Sequence, residues 1–278
     1  MTEGCEVKIP TPKQARAAKK LAPAPATMPP SVPQDFRPFV IDTPGKWLAI
    51  FDIHAPYHDI PTLELAASYG RREKVAGVIF GGDFLDCHDL SDHDKDSDAA
   101  RYQDEIQIGA QLMRWFRSQF PKARLIVKEG NHEERLHRYV MRNARALSGL
   151  PGVSTPEFLG LGDIGAEWVG DKRTIALGKL DIVHGHEFHG SGGVYPARWL
   201  WAKTRAVVMC GHFHRTSAYH DRDLRGRPEA AWSVGCACYL HPRYARNNSW
   251  NHGFAMIEVE PSGRFRVENL RVRDGRIE

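Results

Sequence analysis

Short apolar runs alternate with amphipathic segments from residue 47 onward, and this alternation limits the fold more than any other feature of the chain. A fully buried strand is apolar throughout, whereas an amphipathic helix repeats its apolar residues at three- and four-residue spacing. The pattern predicts strands at residues 47–51, 75–80 and 124–128, with helices at residues 61–72, 98–120 and 133–147. After Pro151 it predicts mainly strands, at residues 174–177, 180–183, 206–210, 231–234, 254–260 and 265–272. Two packed β-sheets flanked by helices would satisfy both halves.

The N-terminal segment differs in composition from the rest of the 278 residues. Residues 1–44 are rich in proline, alanine and lysine, and such a segment buries too little apolar surface to offset the entropy of ordering it. We therefore expect a disordered arm at residues 1–44 and one domain at residues 45–278. We expect the end of the arm to dock on the domain through Phe36, Phe39 and Val40.

Charge and cysteine content narrow the class of protein. The net charge of +4 is small for a domain built mainly to coat nucleic acid. No apolar run approaches the roughly 20 residues that span a bilayer, so we expect no integral membrane helix. Five scattered cysteines do not form the pattern of a disulfide framework, and the N-terminus shows no secretory signal. The expected compartment is the reducing cytoplasm.

Polar clusters follow five of the predicted strands, at the point where each strand ends. In α/β sheets, functional groups collect beyond the carboxyl ends of strands, so these clusters are expected at one cleft. In Asp52-x-His54 and His212-x-His214, an extended backbone would point both side chains the same way. The clusters are Asp52-Ile53-His54, Gly81-Gly82-Asp83-Phe84-Leu85-Asp86, Gly130-Asn131-His132-Glu133, His184-Gly185-His186 and Gly211-His212-Phe213-His214.

The residue types in these clusters predict a metal centre. Carboxylate, amide and imidazole donors without cysteine suit divalent manganese, iron or zinc better than a thiolate site would. These donors exceed the needs of one ion, but seven of them would serve two ions if one carboxylate bridges. Two metals about 3.5–4 Å apart form the arrangement used for displacement at phosphorus.

The ordered motifs D-x-H, G-D-x-x-D, G-N-H-E, H-G-H and G-H-x-H resemble those of the calcineurin-like metallophosphoesterase superfamily, over roughly residues 47–217. The resemblance implies a four-layer α/β/β/α sandwich and hydrolysis of phosphate esters by metal-bound hydroxide. It implies that one metal is held by Asp52, His54, Asp83 and His214, and that the second is held by the bridging Asp83 with Asn131, His184 and His212. It also implies that His132 meets the phosphate or the leaving group, and that Asp86 orients His132.

Several functions remain open within this resemblance. A phosphodiesterase or nuclease acting on nucleic acid or nucleotides is favoured, because arginine and aromatic residues alternate after the last motif, as in single-strand binding sites. A phosphomonoesterase, a phosphoprotein phosphatase and a non-catalytic binding module of the same fold are the alternatives. Manganese is the expected metal, with iron or zinc as alternatives. Candidate substrate-binding residues are Arg135, His186 and Arg215, and the oligomeric state is left open.

Two further patterns have simpler interpretations. Cys236-x-Cys238-x-x-His241 lacks a fourth ligand and the usual zinc spacing, which favours buried cysteines in a strand. Glu133 is expected to be a first-turn helix residue, favoured there by the helix dipole.

Overall fold

The structure is a computed structural model, and it describes residues 28, 31–32, 36–92 and 98–278. The chain divides into two units, Met1–Phe36 and Arg37–Glu278, and the second contains all the elements described below. Most of the arm expected at residues 1–44 lies outside the described residues. Its last part does not: Phe39–Ile41 forms a strand that pairs in parallel with Ile175–Leu177.

The described helices and strands alternate in the first half of the unit, and strands dominate the second. The helices are α1 (Ile60–Arg72), α2 (Tyr102–Gln119), α3 (Glu134–Asn143), α4 (Thr155–Phe158) and α5 (Pro196–Thr204). The strands are β1 (Phe39–Ile41), β2 (Gly45–Ile50), β3 (Gly77–Phe80), β4 (Arg124–Lys128), β5 (Ala166–Val169), β6 (Ile175–Leu177), β7 (Leu180–Ile182), β8 (Val208–Cys210), β9 (Ser217–Arg222), β10 (Pro228–Ser233), β11 (His252–Val259), β12 (Phe265–Arg273) and β13 (Arg276–Ile277).

These strands form two mixed sheets. One has the order β13-β12-β11-β2-β3-β4-β5, in which β2, β3, β4 and β5 are parallel neighbours. The other has the order β1-β6-β7-β8-β10-β9, in which β7, β8 and β10 are parallel neighbours. The carboxyl ends of the parallel strands in each sheet lie at one edge of it, and all five predicted polar clusters follow such strands.

Alternating residues of the strands build two separate cores. On β2, Trp47 and Ala49 belong to a cluster between the sheets that also contains Met209 of β8, whereas Leu48 and Ile50 belong to a cluster that includes α1 and α2 residues. A third cluster packs α5 against the six-stranded sheet. The layers are therefore helices, sheet, sheet and helix, and the predicted four-layer α/β/β/α sandwich is confirmed.

The element boundaries differ from the prediction in several places. The predicted helix at residues 133–147 ends at Asn143, where Ala144 leaves helical geometry and a short 3₁₀ turn follows. Helices α4 and α5 and strands β1, β5, β9 and β13 were not predicted. In α5 the buried residues are Pro196, Ala197 and Leu200, and the indole of Trp201 donates a hydrogen bond to the Glu229 carboxylate (2.8 Å).

The core between the sheets predicts a stability effect at Gly77. A Cβ atom at Gly77 would lie 2.2 Å from the Trp47 ring, which is fully buried. We expect Gly77→Ala to lower the free energy of unfolding by about 1–3 kcal/mol, because the ring has no room to move. Gly162→Ala is the matched control, since nothing lies within 4 Å of its added Cβ atom. Equal denaturant midpoints for the two variants would contradict this packing.

Candidate metal centre

The seven predicted ligands lie together around the carboxylate of Asp83. Its Oδ2 atom lies 3.1 Å from Nε2 of His184 and 3.8 Å from Nε2 of His54. On the side of His54, Nε2 of His214 lies 3.3 Å from Nε2 of His54 and 3.5 Å from Oδ1 of Asp52. On the side of His184, Oδ1 of Asn131 lies 3.2 Å from Nε2 of His184. Two donor sets therefore share one carboxylate.

The second set is completed by His212. Ligand atoms of Asp83, His184 and His212 all lie within 4.8 Å of one another, and the rings of His184 and His212 are 5.1 Å apart. Two further side chains also come within metal-binding distance of the first set, although neither was predicted as a ligand. His132 groups with His54 and Asp83, and Cys238 groups with His54 and His214.

Hydrogen bonds on the far side of the imidazoles fix which nitrogen faces the centre. Nδ1 of His54 donates to Oδ1 of Asp86 (2.9 Å), and Nδ1 of His184 donates to the carbonyl oxygen of Gly81 (3.1 Å). In both rings Nε2 then faces Asp83 and is the atom that a metal would bind once any proton on it has left. Such partners set the tautomer and orientation of metal-binding histidines, so these rings are arranged as ligands.

The backbone at the ligands departs from the extended geometry that the sequence suggested. Asp52, His54, Asp83, His212 and His214 all have φ values between +49° and +66°. Residues other than glycine adopt this left-handed region rarely, and such strained residues cluster at functional sites. The prediction that Asp52-x-His54 and His212-x-His214 are extended was therefore wrong: strand β2 ends at Ile50 and β8 at Cys210, and the ligands lie in the tight turns that follow.

Two glycines allow the turns to approach the ligands closely. A Cβ atom at Gly130 would lie 2.2 Å from Oδ1 of Asp83, and one at Gly211 would lie 2.6 Å from Oδ2 of Asp52. Any side chain at either position would displace a carboxylate of the centre. The glycines of the G-N-H-E and G-H-x-H motifs thus leave room for the carboxylates of Asp83 and Asp52.

Buried acidic side chains brace the same turns, and the sequence did not reveal them. Glu133 is 1% exposed, and its carboxylate accepts hydrogen bonds from the backbone N–H groups of Asp83, Leu85 and Gly130 at 2.8–3.1 Å. It stands at the start of α3, as expected, in the N-cap position, and its carboxylate binds these turns. Burial and the charge of Asp83 raise the pKa of Glu133 to about 7.

A second brace holds the turn at His184. The carboxylate of Glu187 accepts from the backbone N–H groups of His184 (3.1 Å) and Gly185 (2.6 Å), and it pairs with the fully buried Lys128 ammonium at 3.0 Å. Although burial opposes ionisation, Lys128 and the neighbouring histidines lower the pKa of Glu187 to about 2. The only signal for this brace was the position of Glu187, directly after the H-G-H motif.

Asp86 and His132 lie at the rim of the centre, in an arrangement that differs from the expected one. The Asp86 carboxylate bonds His54, and its nearer oxygen is 3.5 Å from Nδ1 of His132. It is the backbone carbonyl of Asp86 that accepts from Nδ1 of His132 (2.5 Å) and from Arg135 (2.8 Å). Asp86 therefore orients a ligand with its side chain and His132 with its main chain.

The three candidate substrate-binding residues have different surroundings. Arg135 lies at the rim, where its Nη2 is 3.1 Å from Nε2 of His132. Arg215 lines a cavity next to His212 and donates to the carbonyl of Gly193. His186 is instead paired with the carboxylate of Glu134 (2.7 Å).

Cavities open on two sides of the donor groups, and Trp250 lines both. The aromatic cavity has a volume of about 680 Å³ and reaches His54 and Asp86. Its wall includes Tyr57, Tyr239, Arg243, Tyr244, Arg246 and Trp250. The His212 cavity, of about 400 Å³, is lined by His212, Arg215, Ser249 and other residues. The Trp250 ring packs on His214 with a centroid distance of 4.0 Å.

The charges of the centre are balanced by protons on two histidines. Burial opposes a charged imidazole, but the Asp83 and Asp52 carboxylates outweigh it and raise the pKa of His184 to about 9. Asp52 likewise raises the pKa of His214 to about 10 against burial, whereas burial and His184 lower the pKa of His212 to about 4. Despite its own burial, Asp83 has a pKa well below the usual range because imidazoles surround it. This donor set, buried and anionic with replaceable protons, fits two divalent ions.

Comparisons with known proteins give structural likenesses. No protein-family model and no curated protein sequence matches the chain. A metallophosphoesterase from Sphaerobacter thermophilus is 16% identical, and the match covers 83% of this chain and 89% of that chain with a TM-score of 0.46. Wild-type Vps29 from Entamoeba histolytica, in complex with Zn²⁺, is 14% identical (84% and 96% covered, TM-score 0.45). Nuclease MPE of Pseudomonas putida is 15% identical (79% and 85% covered, TM-score 0.35).

Because the identities are 16% or less and the TM-scores 0.46 or less, the activity is argued from the chain's own residues. None of the described helices has both the length and the apolar character needed to cross a membrane.

The proton balance predicts how metal binding depends on pH. Because the raised pKa values of His184 and His214 keep both protonated at neutral pH, a metal must displace their protons. We expect about one to two protons to be released at pH 7, and metal affinity to rise as the pH increases toward 9. Calorimetry of manganese binding in buffers of different ionisation enthalpy measures this release. Affinity that stays constant between pH 6 and 9 would contradict the assignment.

Proposed function

We propose that this chain is a dinuclear-metal-dependent phosphodiesterase that hydrolyses nucleic acids or nucleotides. The observation that supports the proposal most directly is the pair of donor sets that share Oδ2 of Asp83, with His184 at 3.1 Å and His54 at 3.8 Å. One ion would be held by Asp52, His54, Asp83 and His214, and the other by Asp83, Asn131, His184 and His212. We propose manganese for both, with iron or zinc as alternatives.

The ions, when bound, would activate water and neutralise charge on the phosphoryl oxygens. The chain's own residues contribute orientation and proton transfer. Asp86 and Gly81 hold the His54 and His184 rings by their Nδ1 atoms, so that both Nε2 atoms remain directed at the centre. Because the two rings cannot rotate away, the donor sets are organised before substrate arrives.

His132 and Arg135 are proposed to contact the substrate at the rim. In the absence of substrate, burial and the nearby cationic Arg135 contribute to lowering the pKa of His132 to about 3, and Nε2 of His132 accepts from Arg135. A negative phosphoryl oxygen would attract the guanidinium and raise the pKa of His132. Nε2 can then hold the proton that the leaving oxygen requires.

Room on both sides of the donors favours a diester over a monoester. A phosphodiester carries a substituent on each side of phosphorus, and cavities of about 680 and 400 Å³ flank the donor groups. Arginine side chains line both cavities, which suits a polyanionic chain. Four described cysteines are buried free thiols, which supports the proposed cytoplasmic compartment.

The activity is tested by removing metals, reloading manganese, and comparing single strands, duplexes, nucleotides and aryl mono- and diesters as substrates. We expect two manganese ions per chain and faster hydrolysis of bis(4-nitrophenyl) phosphate than of 4-nitrophenyl phosphate. Asp83→Asn should lose both metal and activity, because the shared carboxylate loses its charge, whereas the exposed Asp163→Asn should keep both. Full activity with one ion per chain contradicts the dinuclear proposal, and a preference for the monoester contradicts the diesterase.

The role of His132 is tested through the leaving group. His132→Ala should retain both metals but lower the turnover of substrates with poor leaving groups by about 10²–10⁴-fold, the usual contribution of general acid catalysis. The loss should be much smaller for a nitrophenolate, which departs without a proton. Equal losses for good and poor leaving groups, or loss of metal, would show that His132 does not donate the proton.

A further inference from the structure

We propose that the aromatic cavity binds the nucleobase of a nucleotide whose phosphate lies at the Asp83 centre. The inference rests on the proposed function and names the part of the substrate that this cavity recognises. It assigns a binding role to the segment of residues 239–250, which supplies no predicted ligand and follows the last metal motif.

The cavity is continuous with the donor groups. His54 and Asp86 belong to its lining, and the Trp250 ring, on its wall, packs on the His214 ring at a centroid distance of 4.0 Å. A group in this cavity is therefore attached to the phosphate directly or through a short linker such as a sugar. A pocket of about 680 Å³ is within the usual range for small-molecule sites.

The wall presents aromatic surface to solvent. The side chains of Tyr239 and Tyr244 are 58% and 67% exposed, and the Tyr244 ring lies 6.3 Å from that of Trp250. Exposed rings clustered at one rim of a cavity offer the faces on which a flat heterocycle stacks, and such stacking tolerates every base. Arg246 on the same wall adds a cationic group of the kind that stacks on bases, whereas Arg243 is paired with the Asp98 carboxylate at 3.3 Å.

The wall is held in shape before any ligand arrives. Asn248 donates from Nδ2 to the carbonyls of Leu240 (2.5 Å) and Ala245 (2.6 Å), and its Oδ1 accepts from the N–H of Trp250 (2.8 Å). The backbone N–H of Tyr239 donates to the carbonyl of Tyr57 (2.9 Å), which ties the segment to the turn after His54. A fixed wall reduces the ordering cost of binding, so weak stacking contacts can yield measurable affinity.

The test is direct binding to the manganese-loaded full chain, measured by calorimetry. The probes are thymidine 5′-monophosphate and 2-deoxyribose 5-phosphate, which differ only in the base. We expect the nucleotide to bind about tenfold more tightly, the usual effect of one base–aromatic stack. Tyr244→Ala should remove most of that ratio while leaving the affinity for the sugar phosphate unchanged, and Tyr244→Phe, which keeps the ring, should restore it.

Tyr195→Ala is the matched control, because Tyr195 is also 67% exposed but does not line the aromatic cavity. It should leave the ratio unchanged. Arg246→Ala provides a second variant on the wall, with an expected loss of the ratio of a few-fold.

Two results would overturn the inference. In the first, both Tyr244→Ala and Arg246→Ala leave the ratio of nucleotide to sugar-phosphate affinity within about twofold of wild type. In the second, O-phosphotyrosine binds more tightly than the nucleotide. The second result would assign the cavity to an aromatic side chain of a protein. Because the experiment measures binding, it is independent of turnover. A chain that binds the base but hydrolyses no diester would contradict the proposed phosphodiesterase activity and leave the base-binding inference intact.

Discussion

A buried carboxylate that belongs to two donor sets is the constraint on which the rest of the site depends. Asp83 is 2% exposed, and burying an isolated carboxylate is strongly unfavourable. The fold compensates it with the backbone N–H of His132, which donates to Oδ1 (3.0 Å), and with the His184 imidazole at Oδ2. The space for this arrangement exists only because residue 130 is glycine. The strand ends, the turns that follow them and the buried carboxylates that hold those turns all help to position the Asp83 carboxylate.

The residue types of the centre could be predicted from sequence, whereas their geometry could not. Aspartate, asparagine and histidine after five apolar strands predict a common cleft, because parallel strands end at one edge of a sheet. The left-handed backbone of Asp52 and His54 has no local signature, since it is imposed by the turn and its surroundings. The role of Glu133 depends on two N–H groups some 50 residues earlier in the chain, and no spacing rule reveals such a contact.

The aromatic cavity arises from the way the chain moves between sheets. Strand β10 lies in the six-stranded sheet and β11 in the seven-stranded sheet, so the connection between them crosses from one sheet to the other. Strand β10 runs parallel to β8, and it therefore ends at the same edge as the strand that precedes His212. The connection must start beside the centre, which places its tyrosines, arginines and Trp250 along one side of it. Composition alone indicated only that this segment mixes arginine with aromatic residues.

The same charge balance connects the stability of the metal-free chain with affinity for phosphate. Buried charges persist when they are paired, and the protons on His184 and His214 pair Asp52 and Asp83 without metal. Two divalent ions that replace two protons would leave the centre with a positive excess. Such an excess would favour the binding of an anion, as the proposed phosphate-ester substrate is.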